Sequence, residues 1–551
     1  MKEEKIADLA YFSMEFAFSN NIPNYAGGLG ILAGDTMRSC ADLGINAVGV
    51  SLVYHKSDDP SGAFPIEKFM ERCAEKVYVT IENREVALAI WKMEIKGAKC
   101  IVPVYFLSAY LPENEIWDRD ITKHLYASDP YTRICQEALL GIGGVRALEA
   151  LGYCDVKKYH LNEGHCSFLT LELLRRNSYD ENRVRALCSF TSHTPLPSGH
   201  DAFEYELAYK TIGSMLPWDI RELAGEDKLN MTKLALNLCS KANGVSQKHG
   251  AVCREMFPDH NIGGITNGIY HPRWVGNHMK PLFDRYLPNW RQNPKEFKNA
   301  AKKIPDKALM NARKLQKKEL IDWINVHDAF FPFSKVGEED LFSEDVLTIG
   351  FARRFVPYKR PELIFEQADI LRRIGKKKIQ LVFAGHRWVN DQFSNDIMKH
   401  VEHYADEFRG EVKVVLIPYY DINVAKRLVS GCDVWLNTPI PPQEASGTSG
   451  MKAALNGCLN LSILDGWWIE GYKKNKLAGW AFGNKAKKTT SRDEEDAGDL
   501  MVKLEEAIKC FYGKKKEWAR RMKNAIALAS YFNTHRMVGE YAKQMWKKND
   551  K

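Results

Sequence analysis

Five apolar runs of strand length, at residues 346–350, 379–385, 412–417, 434–436 and 459–464, punctuate the second half of this chain. Helical patterns lie between them, notably 360–374, where Leu363, Ile364, Ile370, Leu371 and Ile374 recur on one face, and 423–429. Strands joined through helices are parallel, and a parallel sheet must be covered on both faces. The spacing therefore predicts a doubly wound α/β unit. The first half repeats the idea less regularly, with strand candidates at 9–12, 47–53, 100–107, 159–161, 186–190 and 262–266 and helices over 36–43, 132–151 and 167–176.

At 551 residues the chain is longer than one hydrophobic core organises. The expected division is a Rossmann-like lobe over 1–270, a mainly helical connecting segment over 271–340, a second Rossmann-like lobe over 341–530 and a basic C-terminal helix over 531–551. Within 518–546, Met, Leu, Ile, Tyr and Phe recur at helical spacing, the pattern of a packing helix. Two doubly wound lobes imply a ligand cleft at the carboxyl ends of the strands.

Charge and cysteine usage exclude several function classes. The net charge of +8 is carried entirely by 512–551, which leaves the rest of the chain neutral and argues against a nucleic-acid binder. Twelve cysteines without a Cys-x-x-Cys pair suit free thiols in a reducing compartment better than a disulfide frame or a zinc site, and no metal site is read. Residues 1–15 lack the apolar core of a secretory signal, and the longest nearly apolar run, 43–54, is too short to cross a bilayer. A cytoplasmic protein with no membrane partner is expected.

Gly28-Leu29-Gly30-Ile31-Leu32-Ala33 matches the dinucleotide fingerprint, but the strand before it ends fifteen residues earlier and no acid follows 47–53 to hold a ribose. The NAD reading fails. Gly27, Gly28 and Gly30 still allow bare backbone N–H groups to approach an anion at a helix start, with a plain packing turn as the equal alternative.

Glu444-Ala445-Ser446-Gly447-Thr448-Ser449-Gly450-Met451-Lys452 follows the strand 434–436 and opens a helix, where ligands bind in parallel sheets. Glu444 would offer a carboxylate to sugar hydroxyls. Lys452, in the first helical turn, has the lowered amine basicity that suits a Schiff base and a neighbouring phosphate. Arg353, Arg354, Lys359 and Arg360 crowd the end of the strand 346–350, and such cations repel one another unless an anion joins them. His193, the stretch Asn162-Glu163-Gly164-His165 and Thr266-Asn267-Gly268 each follow a first-half strand with polar side chains suited to sugar recognition.

At these residues the chain resembles the α-glucan phosphorylases (glycogen, starch and maltodextrin phosphorylases), especially their short prokaryotic form. The resemblance runs from about Tyr11 to Met545 and is carried by residues 11–16, 27–30, 162–165, the His193 loop, 265–268, 353–359 and 444–465. It implies a GT-B fold, two doubly wound Rossmann-like lobes facing a catalytic cleft, with pyridoxal 5′-phosphate bound as an imine on Lys452. It also implies retaining phosphorolysis of an α-glucan, glycogen or maltodextrin, by orthophosphate to glucose 1-phosphate, with the cofactor phosphate in proton exchange. By the same resemblance Arg354 and Lys359 grip the substrate phosphate, Arg353 and Thr448 lie near the cofactor phosphate, and Gly28 lends that region its N–H. Glu444, Ser446, Gly447, His193 and Asn267 hold the glucosyl unit. The sequence leaves the oligomeric state open, a homo-oligomer included. Three stretches depart from the family pattern: 55–59, 246–249 and 384–388.

Two alternatives define the contrast. A nucleotide-sugar glucosyltransferase of the same fold, of glycogen synthase type, carries two glutamates with seven residues between them, but the position that distance from Glu444 is Lys452. An inactive glucan-binding scaffold would be expected to lose crowded charges that are costly to keep.

Overall fold

The computed structural model describes residues 4–55, 64–385, 392–483 and 492–547; residues 56–59 and 386–388 of two divergent stretches lie outside them. The chain divides into two compact units, 1–266 with 534–551, and 267–533.

The second unit is built on a six-stranded sheet, all parallel, in the order Lys413–Ile417, Ile379–Ala384, Leu347–Ala352, Val434–Asn437, Leu459–Ile463, Gly479–Phe482. The first three strands run outward to one side and the last three to the other, so the order reverses between Leu347–Ala352 and Val434–Asn437. Such a switch point opens a crevice at the carboxyl ends of those two strands. All six residues of Leu347–Ala352 and of Ile379–Ala384 are buried, as double-sided cover requires.

The first unit has a nine-stranded sheet in the order Ile262–Gly264, Lys241–Gly244, Cys188–Ser192, Tyr159–Asn162, Leu9–Phe12, Ala47–Leu52, Ile101–Ser108, Arg84–Lys96, Glu71–Ile81. The first seven pair in parallel, and its own reversal lies between Leu9–Phe12 and Tyr159–Asn162. Alternation divides the strands between two cores: Ala10 and Phe12 pack on one face, Leu9 and Tyr11 on the other with Met37, Met537 and Tyr541. Helix Thr534–Gln544 is thus part of the first unit's core, its Tyr541 hydroxyl accepting from Asn243 at 3.0 Å.

Several local expectations change. The pattern over 360–374 is not one helix: a 3₁₀ turn, Pro361–Ile364, precedes helix Ala368–Gly375. Arg360 takes a left-handed backbone, φ 43°, through which a right-handed helix cannot run. The helix expected over 36–43 begins earlier, as Gly28–Leu43. The pattern 132–151 is interrupted by a π turn, Leu139–Gly143. The helix expected across 518–546 is two, Lys515–Leu528 and Thr534–Gln544, separated where Asn533 Nδ2 bonds the Ala529 carbonyl at 2.9 Å. The antiparallel hairpin Glu71–Ile81 and Arg84–Lys96 was not expected: its first strand alternates exposed and buried residues, and the apolar run 86–91 of its second was overlooked; Glu82 and Asn83, both at positive φ, make its turn.

Candidate active site

The second unit's crevice is lined by the loops that leave its two central strands. After Leu347–Ala352 come Arg353 and Arg354, then the 3₁₀ turn Pro357–Lys359. After Val434–Asn437 comes a loop that ends in helix Ser449–Leu455. The two loops are stitched together: Thr438 Oγ1 donates to the carbonyls of Lys359 and Arg360 at 2.7 and 2.8 Å, and Ile440 N donates to the Tyr358 carbonyl at 2.8 Å.

Glu444 is the hub. Its Oε2 accepts from Arg353 Nη2 at 2.6 Å and from Lys359 Nζ at 2.5 Å. Burial pushes its carboxyl up, but Arg353 and Lys359 outweigh that and hold it at about 2. Lys359 is pulled down to about 7 by burial and the Arg353 guanidinium, which together exceed the attraction of Glu444. Asp465 accepts from the backbone N–H groups of Glu444 and Gly466, both at 2.9 Å, and burial raises its carboxyl to about 6 despite them. Gly466, at φ 50°, brings the chain so close to the Ser446 carbonyl that a Cβ would meet it at 2.5 Å.

The four crowded cations therefore do not all await an external anion. Arg353 and Lys359 share Glu444, and Arg360 is consumed by Asp493, Asp496 and the carbonyls of Thr438 and Pro439. Charge repulsion alone could not show this, since the neutralising carboxylates lie far along the chain. Arg354 is exposed and makes no hydrogen bond or ion pair among the described residues. Arg353 keeps Nε and Nη1 buried without a partner, and Ser446 Oγ is likewise buried and unpartnered. Two such guanidinium donors facing nothing are expensive unless an anion accepts them. Ser446 precedes Gly447, which takes φ 79°, and Thr448 at the helix entry is half-buried.

Lys452 is the fourth residue of Ser449–Leu455 and is buried, with Nζ 4.0 Å from the centroid of the Trp274 ring. Gly450 permits the close packing of this helix, since a Cβ there would meet Asn460 Oδ1 at 2.4 Å. Trp274 was missed by sequence reasoning, and nothing local in 271–274 signals it.

In the first unit the strands flanking the reversal end in Ser13 and Glu163. Asn162 Nδ2 donates to Ser13 Oγ at 3.1 Å, and Asn162 Oδ1 takes the His193 Nε2 hydrogen at 2.8 Å. Burial and neighbouring histidines lower His193 to about 3, so the ring is neutral, with Nε2 as donor and Nδ1 left as acceptor. Glu163 holds this arrangement at φ 84°, its Oε2 accepting from His193 N at 2.6 Å and Thr194 Oγ1 at 3.0 Å. Asn162 and His193 are thus brought together, with Glu163 as their brace. Ser246, in a divergent stretch, caps helix Gln247–Met256 through His249 N.

Gly27 caps helix Gly28–Leu43. Glu15 Oε2 accepts from Ala26 N at 2.6 Å and Gly27 N at 3.3 Å, while Tyr126 donates to its Oε1 at 2.8 Å. An internal carboxylate thus occupies the donors ahead of the helix. A Cβ on Gly30 would meet Glu15 Oε2 at 2.7 Å, whereas one on Gly28 would meet nothing within 4 Å. Asn267, buried at 4% exposure, opens the second unit. Among the described residues no group of three or more His, Cys, Asp or Glu could hold a metal ion, and no helix is long and apolar enough to cross a membrane.

Comparison with known proteins gives a consistent result. The model of the carbohydrate phosphorylase family matches residues 202–501. The chain is 35% identical to a maltodextrin phosphorylase of Thermococcus litoralis, over 98% of this chain and 70% of that protein. It is 30% identical to a glycogen phosphorylase of Aquifex aeolicus, over 98% of this chain and 86% of that one. An uncharacterised protein of Methanocaldococcus jannaschii is 32% identical over 98% of this chain and 99% of its own length.

Proposed function

Because the chain belongs to the carbohydrate phosphorylase family, we propose that it is a cytoplasmic α-glucan phosphorylase. It would cleave the non-reducing-end glucosyl unit of glycogen or maltodextrin with orthophosphate and yield glucose 1-phosphate. The observation that carries the reading is Arg353, a guanidinium with two buried, unpartnered donors just past one central strand, while a buried lysine, Lys452, stands on the helix reached from the other.

That pair fits pyridoxal 5′-phosphate. Lys452 would hold the cofactor through its amine, and Arg353 and Thr448 would meet its phosphate. When bound, the cofactor supplies a phosphate group able to exchange a proton with orthophosphate. The chain's own residues do the rest. Arg354, exposed and uncommitted, and Lys359 bind orthophosphate as a planar fork and a point charge. Phosphate arriving beside Lys359 favours its ammonium form, offsetting the burial and the Arg353 guanidinium that hold it near 7. Glu444 keeps Arg353 and Lys359 from repelling each other and, with Ser446, Gly447 and Asn267, presents acceptors and donors to sugar hydroxyls. His193, fixed as a neutral ring by donating Nε2–H to Asn162, keeps Nδ1 to accept from a hydroxyl without placing a positive charge near the glucosyl carbon.

The test is the absorbance of the purified protein, with a mass spectrum after borohydride reduction. The expected result is a near-ultraviolet or violet band lost in Lys452→Ala, a pyridoxyl adduct on Lys452, and phosphate-dependent release of glucose 1-phosphate from maltodextrin. A colourless protein that turns over ADP- or UDP-glucose would overturn the proposal.

A further inference from the structure

Helix Ser449–Leu455 stops just past Lys452, and the way it stops has a chemical consequence. Asn456 N bonds the Ala453 carbonyl, so the backbone ladder does not reach back to the Lys452 carbonyl as one more α-helical turn would. The side chain of Asn456 fills that role: Nδ2 donates to the Lys452 carbonyl at 2.9 Å. The second Nδ2 hydrogen goes to the Trp274 carbonyl at 2.8 Å, and Oδ1 accepts from Gly276 N at 2.7 Å. One fully buried amide, with all its donors used, ties both ends of the turn 274–276 to the backbone of Lys452.

Trp274 is the residue whose ring lies 4.0 Å beneath the Lys452 amine. The turn has little freedom of its own, since a Cβ on Gly276 would meet Gln316 Oε1 at 2.4 Å and Ser430 Cβ at 2.8 Å. One side chain therefore joins the backbone that carries the ring to the backbone that carries the amine. We propose that Asn456 is a positioning residue for Lys452: it fixes the amine over the Trp274 ring in the direction that cofactor attachment requires. The inference rests on the function proposed above. It assigns Asn456 no contact with cofactor or substrate.

The decisive measurement uses the full chain freed of cofactor. Acylation of Lys452 by a water-soluble reagent is followed by mass spectrometry from pH 6 to 10, with Lys317, buried against Asp433, as internal reference. Pyridoxal 5′-phosphate is then titrated by absorbance. In Asn456→Ala the Lys452 acylation profile should move while that of Lys317 stays, and the dissociation constant for the cofactor should rise tenfold or more. Asn456→Asp keeps an acceptor for Gly276 but faces the two carbonyls with oxygen, and should do the same; it stands in where Asn456→Ala does not fold. A native Lys452 profile and a cofactor affinity within twofold of native in either folded variant would overturn the inference. So would failure of both variants to fold, which would make Asn456 a residue for stability alone. If the native chain itself takes up no cofactor, the proposed function falls, while the Lys452 profile still reports on Asn456.

Discussion

Lys359 points its amine at Glu444 from 2.5 Å, yet the ion pair leaves the lysine easier to deprotonate than one in water. Burial and the Arg353 guanidinium are the reason. In the unfolded chain the amine titrates at about 10.4. Between pH 7 and about 10 the unfolded state therefore binds more protons, and stability from this group rises with pH. Below pH 7 it is protonated in both states and the slope vanishes. Glu444, likewise lowered, follows the same sign in a more acidic window: its contribution is present above about pH 4.3 and is lost as pH falls towards 2.

The expected outcome is a denaturation midpoint for the cofactor-free chain that rises from pH 7 to 9 more steeply than that of Lys359→Met. The comparison isolates Lys359, because other groups titrating in that range do so in both chains. Parallel curves would remove the buried, easily deprotonated lysine from the account.

Glu163 offers a test of strain against function. At φ 84° a side chain with a Cβ is held at a cost of about 1–3 kcal/mol. Glu163→Ala keeps the cost and deletes the acceptor for His193 N and Thr194 Oγ1. Glu163→Gly deletes the acceptor and also relieves the strain. The glycine variant should melt above the alanine variant, while both lose apparent glucan affinity to a similar degree. Glu163→Gln, which still accepts from His193 N, should retain most of it. Equal melting of the Ala and Gly variants would show that no strain is stored there.

Gly28 and Gly30 separate a functional glycine from a packing one. Gly30→Ala drives a methyl into Glu15 Oε2 and Tyr25 Cβ, at 2.7 and 2.8 Å, so the variant should be destabilised or its loop rearranged. Gly28→Ala meets no atom within 4 Å and should fold as the parent does. If the Gly28 N–H lies beside a bound phosphate, the added methyl lowers cofactor or phosphate affinity without moving the melting temperature. Native kinetics in Gly28→Ala would remove that glycine from the site.

Much of this was legible in the sequence for a simple reason. A strand buried on both faces must be largely apolar, so five of the six strands of the second unit announce themselves, whereas a half-exposed strand such as Glu71–Ile81 alternates and hides among loops. Residues that close on nearby backbone were legible as stretches: Asn162, Glu163 and Lys452 follow strand ends, where ligands gather. What was not legible is what crosses the chain. Glu444 meets Arg353 across 91 residues and Asn456 meets Trp274 across 182, and no local pattern encodes such a meeting. Arg360, counted among the cations that an anion would join, is neutralised instead by carboxylates more than 130 positions later.

Arg354 gives the sharpest test of the phosphate side. Unlike Arg353 and Arg360 it is exposed and bonded to no described residue, so the fold owes it nothing. Arg354→Ala should leave the melting temperature in place and should not disturb the absorbance of a cofactor held at Lys452. If it grips orthophosphate, its loss deletes one or two charge-assisted hydrogen bonds of about 1.5–3 kcal/mol each, which weakens phosphate use by roughly 10- to 1000-fold or more. Arg354→Lys should recover only part, because a point charge cannot reproduce a planar fork. Arg353→Ala must behave differently: it takes one of two cationic partners from Glu444 and should lower stability as well as activity, by less than the roughly 3–5 kcal/mol of a fully orphaned buried charge, because Lys359 remains. The measurement is phosphorolysis rate against phosphate concentration for both variants, alongside thermal melts. An Arg354→Ala enzyme with unchanged phosphate dependence would move the phosphate away from this loop, and an Arg353→Ala enzyme as stable as the parent would remove Glu444 as the hub of the site.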